Sequence, residues 1–203
     1  MASIYLVRHG ETEWNRLGRA QGRTDIPIND EGRRQAALLG QRLADTPFAA
    51  AYASDSVPAS ETATIILQGR PVPLHATPEL REVSLGRWEG LTYQEAEARD
   101  PEDWARYMSG DVDFAPPGGE SARDVLARVD AFLESLKGRH DGEDFLLVGH
   151  GRSLTATAVR LLQLPAEALW LFHMSHVSLS VVTIDPDGAA LALWNDTSHV
   201  TPP

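Results

Sequence analysis

Three apolar runs, Ile4 to Val7, Phe48 to Ala53 and Phe145 to Gly149, punctuate a chain whose other regular stretches carry helical spacing. Short runs without polar alternation read as strands buried on both faces, which happens when a sheet is covered by helices on each side. A helix is expected from Glu31 to about Ala44, capped by Asn29 or Asp30, with Ala36, Leu39, Gly40 and Leu43 in register. Another is expected near Ser56 to Leu67 with Pro58 in its first turn, where the missing N–H does little harm. From Ser121 onward Val125, Leu126, Val129, Phe132, Leu133 and Leu136 make one stripe, and a last helix runs from about Arg152 to Leu162. Val72 to His75 reads as a short strand, and Leu91 to Met108 as one or two short helices. DVDFAPPGGE, Asp111 to Glu120, is a long loop, and DPDG joins Val177–Ile184 to Ala189–Trp194 as a hairpin. The alternation predicts an α/β fold: a three-layer α/β/α sandwich with a mostly parallel central sheet.

Composition narrows the function. A length of 203 residues fits one domain, and no segment approaches the apolar length of a membrane-spanning helix. A basic patch followed by an apolar stretch is missing from the first residues, so a cytoplasmic setting is expected. Zero cysteine excludes a thiolate nucleophile and a cysteine metal site. A formal net charge of −11 argues against a nucleic-acid partner and makes any anion site a local positive pocket in an acidic molecule.

Such a pocket has candidate residues. YLVRHG and LLVGHG are both apolar runs that end in histidine and glycine. Ligands bind at the carboxyl ends of parallel strands, so adjacent parallel strands would bring His9 and His150 together. Gly10 and Gly151 would then leave room for close approach by a ligand, with helix starts offering N–H groups to an anion.

RHGETEWN resembles the signature of the histidine phosphatase superfamily, also called phosphoglycerate-mutase-like. GRTDIPIND, ASD with ETA, LREVSLGRWEG, PPGGES, LLVGHG and NDTSHV match it in order along nearly the whole chain. The resemblance implies one histidine-phosphatase-like domain over residues 1–203 with a helical cap-like insertion at about 91–120. It implies His9 as the nucleophile that becomes phosphohistidine, and an imidazole is a competent nucleophile near neutral pH. It makes Glu82 the general acid that protonates the leaving oxygen and then activates water, and His150 a donor to the transferring phosphoryl group. Arg8, Asn15 and Gly151 would bind phosphate oxygens. No metal and no cofactor are implied.

The chain departs from the family at one informative place. Where members usually read SDLxRAxQTA, this sequence has SDSVPASETA, with Pro58 at the arginine position. Loss of that contact would cost on the order of 10²–10³ in rate unless replaced. The expected replacement is Arg152, in His-Gly-Arg where the family often has His-Gly-Gly; its alternative is a solvent-facing arginine on the first helical turn. Arg19, Arg23 and Arg81 are weaker candidates.

A short acid-to-GES interval and GRWEG resemble the phosphatase branch, so the expected activity is hydrolysis of a small phosphorylated metabolite, releasing inorganic phosphate. Phosphoglycerate mutase, or a phosphate-ligand-binding protein disabled by Pro58, are the alternatives. Trp88, Trp104, Tyr107 and Phe114 are candidates for the alcohol side of the pocket. Asp111 and Asp113 lie in a loop without a preceding strand, no Walker motif occurs, and His173 and His176 have no evident third metal ligand, His176 being instead a candidate to face the site from a nearby strand. Neither the particular ester nor the oligomeric state is legible.

Overall fold

The structure, a computed structural model, describes residues 2–200. Four parallel strands, β1 (Ala2–Arg8), β2 (Ala50–Ser54), β3 (Leu74–Thr77) and β4 (Phe145–Gly149), form one sheet with the antiparallel β5 (Leu179–Asp185) and β6 (Gly188–Asp196). The order is β3-β2-β4-β1-β5-β6. The topology therefore sets β1 and β4 side by side, with Arg8 in register with Gly149.

Successive side chains of a strand point to opposite faces, and both faces here are apolar. Val7, Ala51, Leu146 and Val148 pack with α2 (Asp30–Arg42) and α3 (Val57–Ile66). Ile4, Leu6, Leu147 and Tyr52 pack with α6 (Ala122–Leu136) and α7 (Gly151–Leu161). This is the three-layer arrangement that the apolar runs predict. Asn29 caps α2 by accepting from Gly32 N at 2.8 Å, and Ser121 with Asp124 closes a capping box at α6.

One α-helix escaped the periodicity. A four-residue helix, α1 (Glu13–Arg16), follows β1, held by a capping box between Thr12 and Asn15. The Leu91–Met108 stretch is split into α4 (Tyr93–Arg99) and α5 (Pro101–Met108), because Pro101 starts a new helix. Trp88, Ala96 and Phe114, with Trp104 and Tyr107 against them, form a small separate aromatic core there. Among the described residues no helix is long and apolar enough to cross a membrane.

Candidate active site

The β1–β4 pairing continues one step past the strands, with His9 N donating to Gly149 O at 2.9 Å. His9 and His150 thus leave adjacent strands together, their rings 4.9 Å apart between centroids and tilted by 59°. Each is only 3% exposed. His9 Nδ1 lies 2.7 Å from Gly10 O. A carbonyl oxygen accepts only, so Nδ1 carries the hydrogen and Nε2 keeps its lone pair. Burial first, then His150 and Arg8, hold the His9 pKa well below the ordinary imidazole value. The ring is a neutral base with one nitrogen committed to the backbone and one available.

His150 Nε2 meets two hydroxyls, Ser56 Oγ at 2.9 Å and Ser54 Oγ at 3.2 Å. Burial, followed by the charges of Arg8 and Arg128, pushes its pKa down to about 3. Ser56 is the N-cap of α3 but makes no side-chain cap bond. Pro58 offers no N–H to it, and Asp25 Oδ1 takes Val57 N at 2.7 Å instead. The hydroxyl is thereby released from capping to hold the histidine.

Arg8 Nη1 donates to Met174 O at 2.6 Å, while its buried Nε has no partner among the described residues. Glu82 reaches the first turn of α7, where Arg152 N donates to Oε1 at 3.0 Å and Oε2 at 3.3 Å; Val83 N donates to Oε1 at 2.9 Å. A Cβ on Gly151 would lie 3.5 Å from Glu82 Oε2 and 3.9 Å from Arg8 Nε, so this glycine does face the site. Gly10 does not. A Cβ there would sit 2.8 Å from Gly32 O, so the bare backbone serves packing of the β1 tip on α2 rather than ligand approach.

Two small chambers meet at Glu82 and His150. One, about 140 Å³, is walled by Arg8, His9, Asn15, Arg19, Tyr93, Tyr107 and Arg152. The other, about 130 Å³, is walled by Arg23, Asp25, Ser56, Pro58 and Arg81. A larger cavity of about 650 Å³ lies at the other end of β1 and β4, against Ile4 and Phe145, and contains none of the predicted site residues. Sequence expectation and structure therefore agree that His9, His150, Glu82, Arg8, Asn15, Gly151 and Arg152 come together. Asn15 Oδ1 is used by Thr12 N at 3.1 Å and Thr12 Oγ1 at 2.9 Å, which leaves its amide NH₂ as the group to donate.

Arg152 and Pro58, however, stand on different chambers. The Arg152 guanidinium carbon lies 4.0 Å from the Trp170 ring centroid, and the volume at Pro58 is bordered instead by Arg23 and Arg81. Both of these are already paired, Arg23 to Glu120 at 2.6 Å and Arg81 to Asp55 at 2.6 Å. Of the four aromatic candidates for the alcohol side, whose alternative was ordinary packing, Tyr107 lines the chamber, whereas Trp88 is fully buried in the aromatic core that also holds Trp104 and Phe114. Tyr93 stands beside Tyr107 in the chamber wall and had no sequence signal.

Ser54, Ser56 and Arg128 were equally silent. Ser54 and Ser56 become informative only once His150 lies against them. Arg128 of α6 donates to the carbonyls of Glu79 and, at 3.1 Å, Glu82, tying down the loop that carries the carboxylate. His176 brings its ring 5.9 Å from His9, presented by a turn in which Val177 adopts a φ of 52° and donates its N–H to Arg8 O at 3.0 Å. A β-branched residue in the left-handed region is strained, and this hydrogen bond helps hold it there. His199 sits beside Arg42, which pairs with Asp196 at 2.5 Å, a contact that ties the last strand to α2.

Burying neutral imidazoles links stability to pH. Below pH about 6.5 the unfolded chain protonates His9 and His150 while the folded chain does not, so the unfolded state binds more protons and stability falls as pH falls. His150 should cost about 1.5 kcal/mol between pH 6.5 and 5, His9 and His176 add losses of the same sign, and no such loss occurs between pH 8 and 7. Denaturant unfolding at pH 7.5, 6.5 and 5.0 measures this; equal stability at all three would contradict the neutral buried pair.

The family described as "Histidine phosphatase superfamily (branch 1)" matches residues 4–197. An adenosylcobalamin/alpha-ribazole phosphatase of Salmonella typhimurium is 33% identical over 192 residues, 95% of each chain. A metal-independent phosphoserine phosphatase of Arabidopsis thaliana is 34% identical, covering 99% of this chain and 84% of that one. The solved structure of Bacillus stearothermophilus YhfR superposes with a TM-score of 0.92 at 36% identity, over 99% of this chain and 100% of the other.

Proposed function

The chain belongs to the histidine phosphatase superfamily, branch 1, and from that premise we propose that it is a phosphomonoester hydrolase working through a phosphohistidine on His9. The observation that carries this reading is the fixed tautomer of His9: Nδ1–H on Gly10 O, and an unprotonated Nε2 in a shared pocket with His150. The phosphatases among its relatives support the reaction class.

His9 Nε2 attacks phosphorus and the ester P–O bond breaks, while Glu82 gives its proton to the departing oxygen so that a neutral alcohol leaves. Glu82, now a carboxylate, takes a proton from water; the resulting attack breaks the P–N bond, frees inorganic phosphate and restores both groups. Charge on the equatorial oxygens is met by Arg8, the Asn15 amide, His150 and the backbone at Gly151, groups already in place before reaction. His150 enters as a neutral imidazole, so it donates a hydrogen bond rather than a full charge. The pairing of Ser56 with Pro58 fits this set, since a held His150 offsets part of what an arginine at position 58 would supply.

Water rather than a second metabolite is the acceptor in this reading. Residues 91–120 act as a cap whose Tyr93 and Tyr107 close a small chamber, and the substrate is a small phosphorylated metabolite of the cytoplasm. The test is direct. Incubation with excess phosphate ester, an alkaline quench and peptide mass spectrometry should find a phosphoryl group on His9 that acid removes. Turnover that leaves His9 unmodified under every quench, or no phosphate release from any ester, would end the proposal.

A further inference from the structure

Arg152 lines the His9 chamber and, among the described residues, forms no ion pair. Of the other cations around the site, Arg8 likewise forms no ion pair among the described residues, but it stands at the phosphoryl end, and the rest are held by partners. Arg8 lies at the strand end beside the histidines; Arg19 donates to Gly90 O at 2.5 Å and stands 3.6 Å from Glu95; Arg23 and Arg81 hold Glu120 and Asp55. In a chain of net charge −11, a guanidinium left without a carboxylate inside a pocket is conspicuous.

Its orientation is fixed by packing. One face of the guanidinium lies against Trp170 at 4.0 Å from the ring centroid, and its planar edge of N–H donors is turned toward the Tyr107 hydroxyl, which hydrogen-bonds with it. That edge belongs to the wall made with Tyr107 and Tyr93, not to the chamber at Pro58. The phosphoryl group has its own donors at the ends of β1 and β4. Arg152 therefore meets the alcohol portion of an ester, and a chamber of about 140 Å³ restricts that portion to a few heavy atoms.

We propose that Arg152 is a specificity residue that reads a carboxylate carried by the alcohol, so that the substrate class is a small phosphomonoester with a nearby carboxylate. This rests on the hydrolase reading and deepens it. A planar fork and a planar carboxylate make two parallel charge-assisted hydrogen bonds, and an uncharged analogue would leave the fork unpaired.

Matched pairs of esters test it: O-phosphoserine against O-phosphoethanolamine, and 3-phosphoglycerate against glycerol 3-phosphate, each pair differing in the carboxylate. Wild type should prefer the carboxylated member by about 10–100-fold in kcat/KM. Arg152→Ala should collapse that ratio to within about 3-fold, and Arg152→Lys, which keeps charge but loses the fork, should fall between. A ratio unchanged by Arg152→Ala, or a loss equal for both members, would overturn the assignment; the second result would place Arg152 on the phosphoryl group instead. Binding of the same pairs to His9→Ala protein, with and without Arg152→Ala, reads the ratio without turnover. A carboxylate preference that persists in binding while no ester is hydrolysed would overturn the hydrolase and not Arg152. Hydrolysis without preference would overturn Arg152 and not the hydrolase.

Discussion

His9→Ala should lower kcat for every phosphate ester by at least about 10⁴-fold, equivalent to about 5.5 kcal/mol of transition-state stabilisation. The size follows from what His9 does in the proposed route. Removing a donor from the pocket weakens a step that still proceeds, whereas removing Nε2 deletes the atom that forms the new bond, and neither His150 nor His176 can take over without moving. The His150 Nε2 is held by Ser56 and Ser54, and His176 approaches from a strained turn anchored on Arg8. His150→Ala, by comparison, should cost about 10²–10³-fold, the usual price of one lost oxyanion donor. Steady-state release of phosphate from the best ester of a panel measures both. Retention of more than a tenth of wild-type kcat by His9→Ala would remove the histidine from covalent chemistry, and only equal, background-level release by both proteins would make the protein a binder of phosphorylated ligands.

The convergence of His9 and His150 was legible because it depends on two coarse facts, that both histidines end apolar runs and that buried runs of this kind pair in parallel. Register then does the rest, since Arg8 opposite Gly149 makes the following residues neighbours. What was not legible depends on side-chain direction. Gly10 and Gly151 occupy identical places in the pattern, yet one is pressed against Gly32 and the other opens on Glu82. Arg152 follows a histidine of the site, but its stack on Trp170, in the 3₁₀ segment Ala166–Leu171, turns it away from Pro58. Ser56 looked like an ordinary N-cap. Its use by His150 needs both the missing N–H of Pro58 and the substitute cap from Asp25, a contact across 32 positions of sequence. Trp88 and Phe114 were candidates for the pocket wall by composition alone, and their burial in the aromatic core reflects how α4 and α5 fold on each other.

Glu82→Gln should separate the two halves of the reaction. The amide is close in shape and its oxygen can still accept from Arg152 N and Val83 N, which hold the carboxylate now. The backbone of the loop stays tied to Arg128 through the Glu82 carbonyl at 3.1 Å. What is lost is the transferable proton. For an alkyl phosphate the departing alkoxide needs that proton, so kcat/KM should fall by about 10²–10⁴-fold. For 4-nitrophenyl phosphate the leaving phenolate is stable by itself, and phosphorylation of His9 should slow by less than about 10-fold. Hydrolysis of the phosphohistidine still lacks its base whichever ester was used. The variant should therefore release about one equivalent of nitrophenol per active site in a burst and then turn over slowly, with phosphoryl-His9 accumulating in between. Rapid-mixing absorbance records the burst, and mass spectrometry of the quenched protein records the intermediate. Equal losses on both esters with no burst would mean that Glu82 orders the pocket through its contacts with α7 rather than moving protons, and the acid–base assignment would pass to another group.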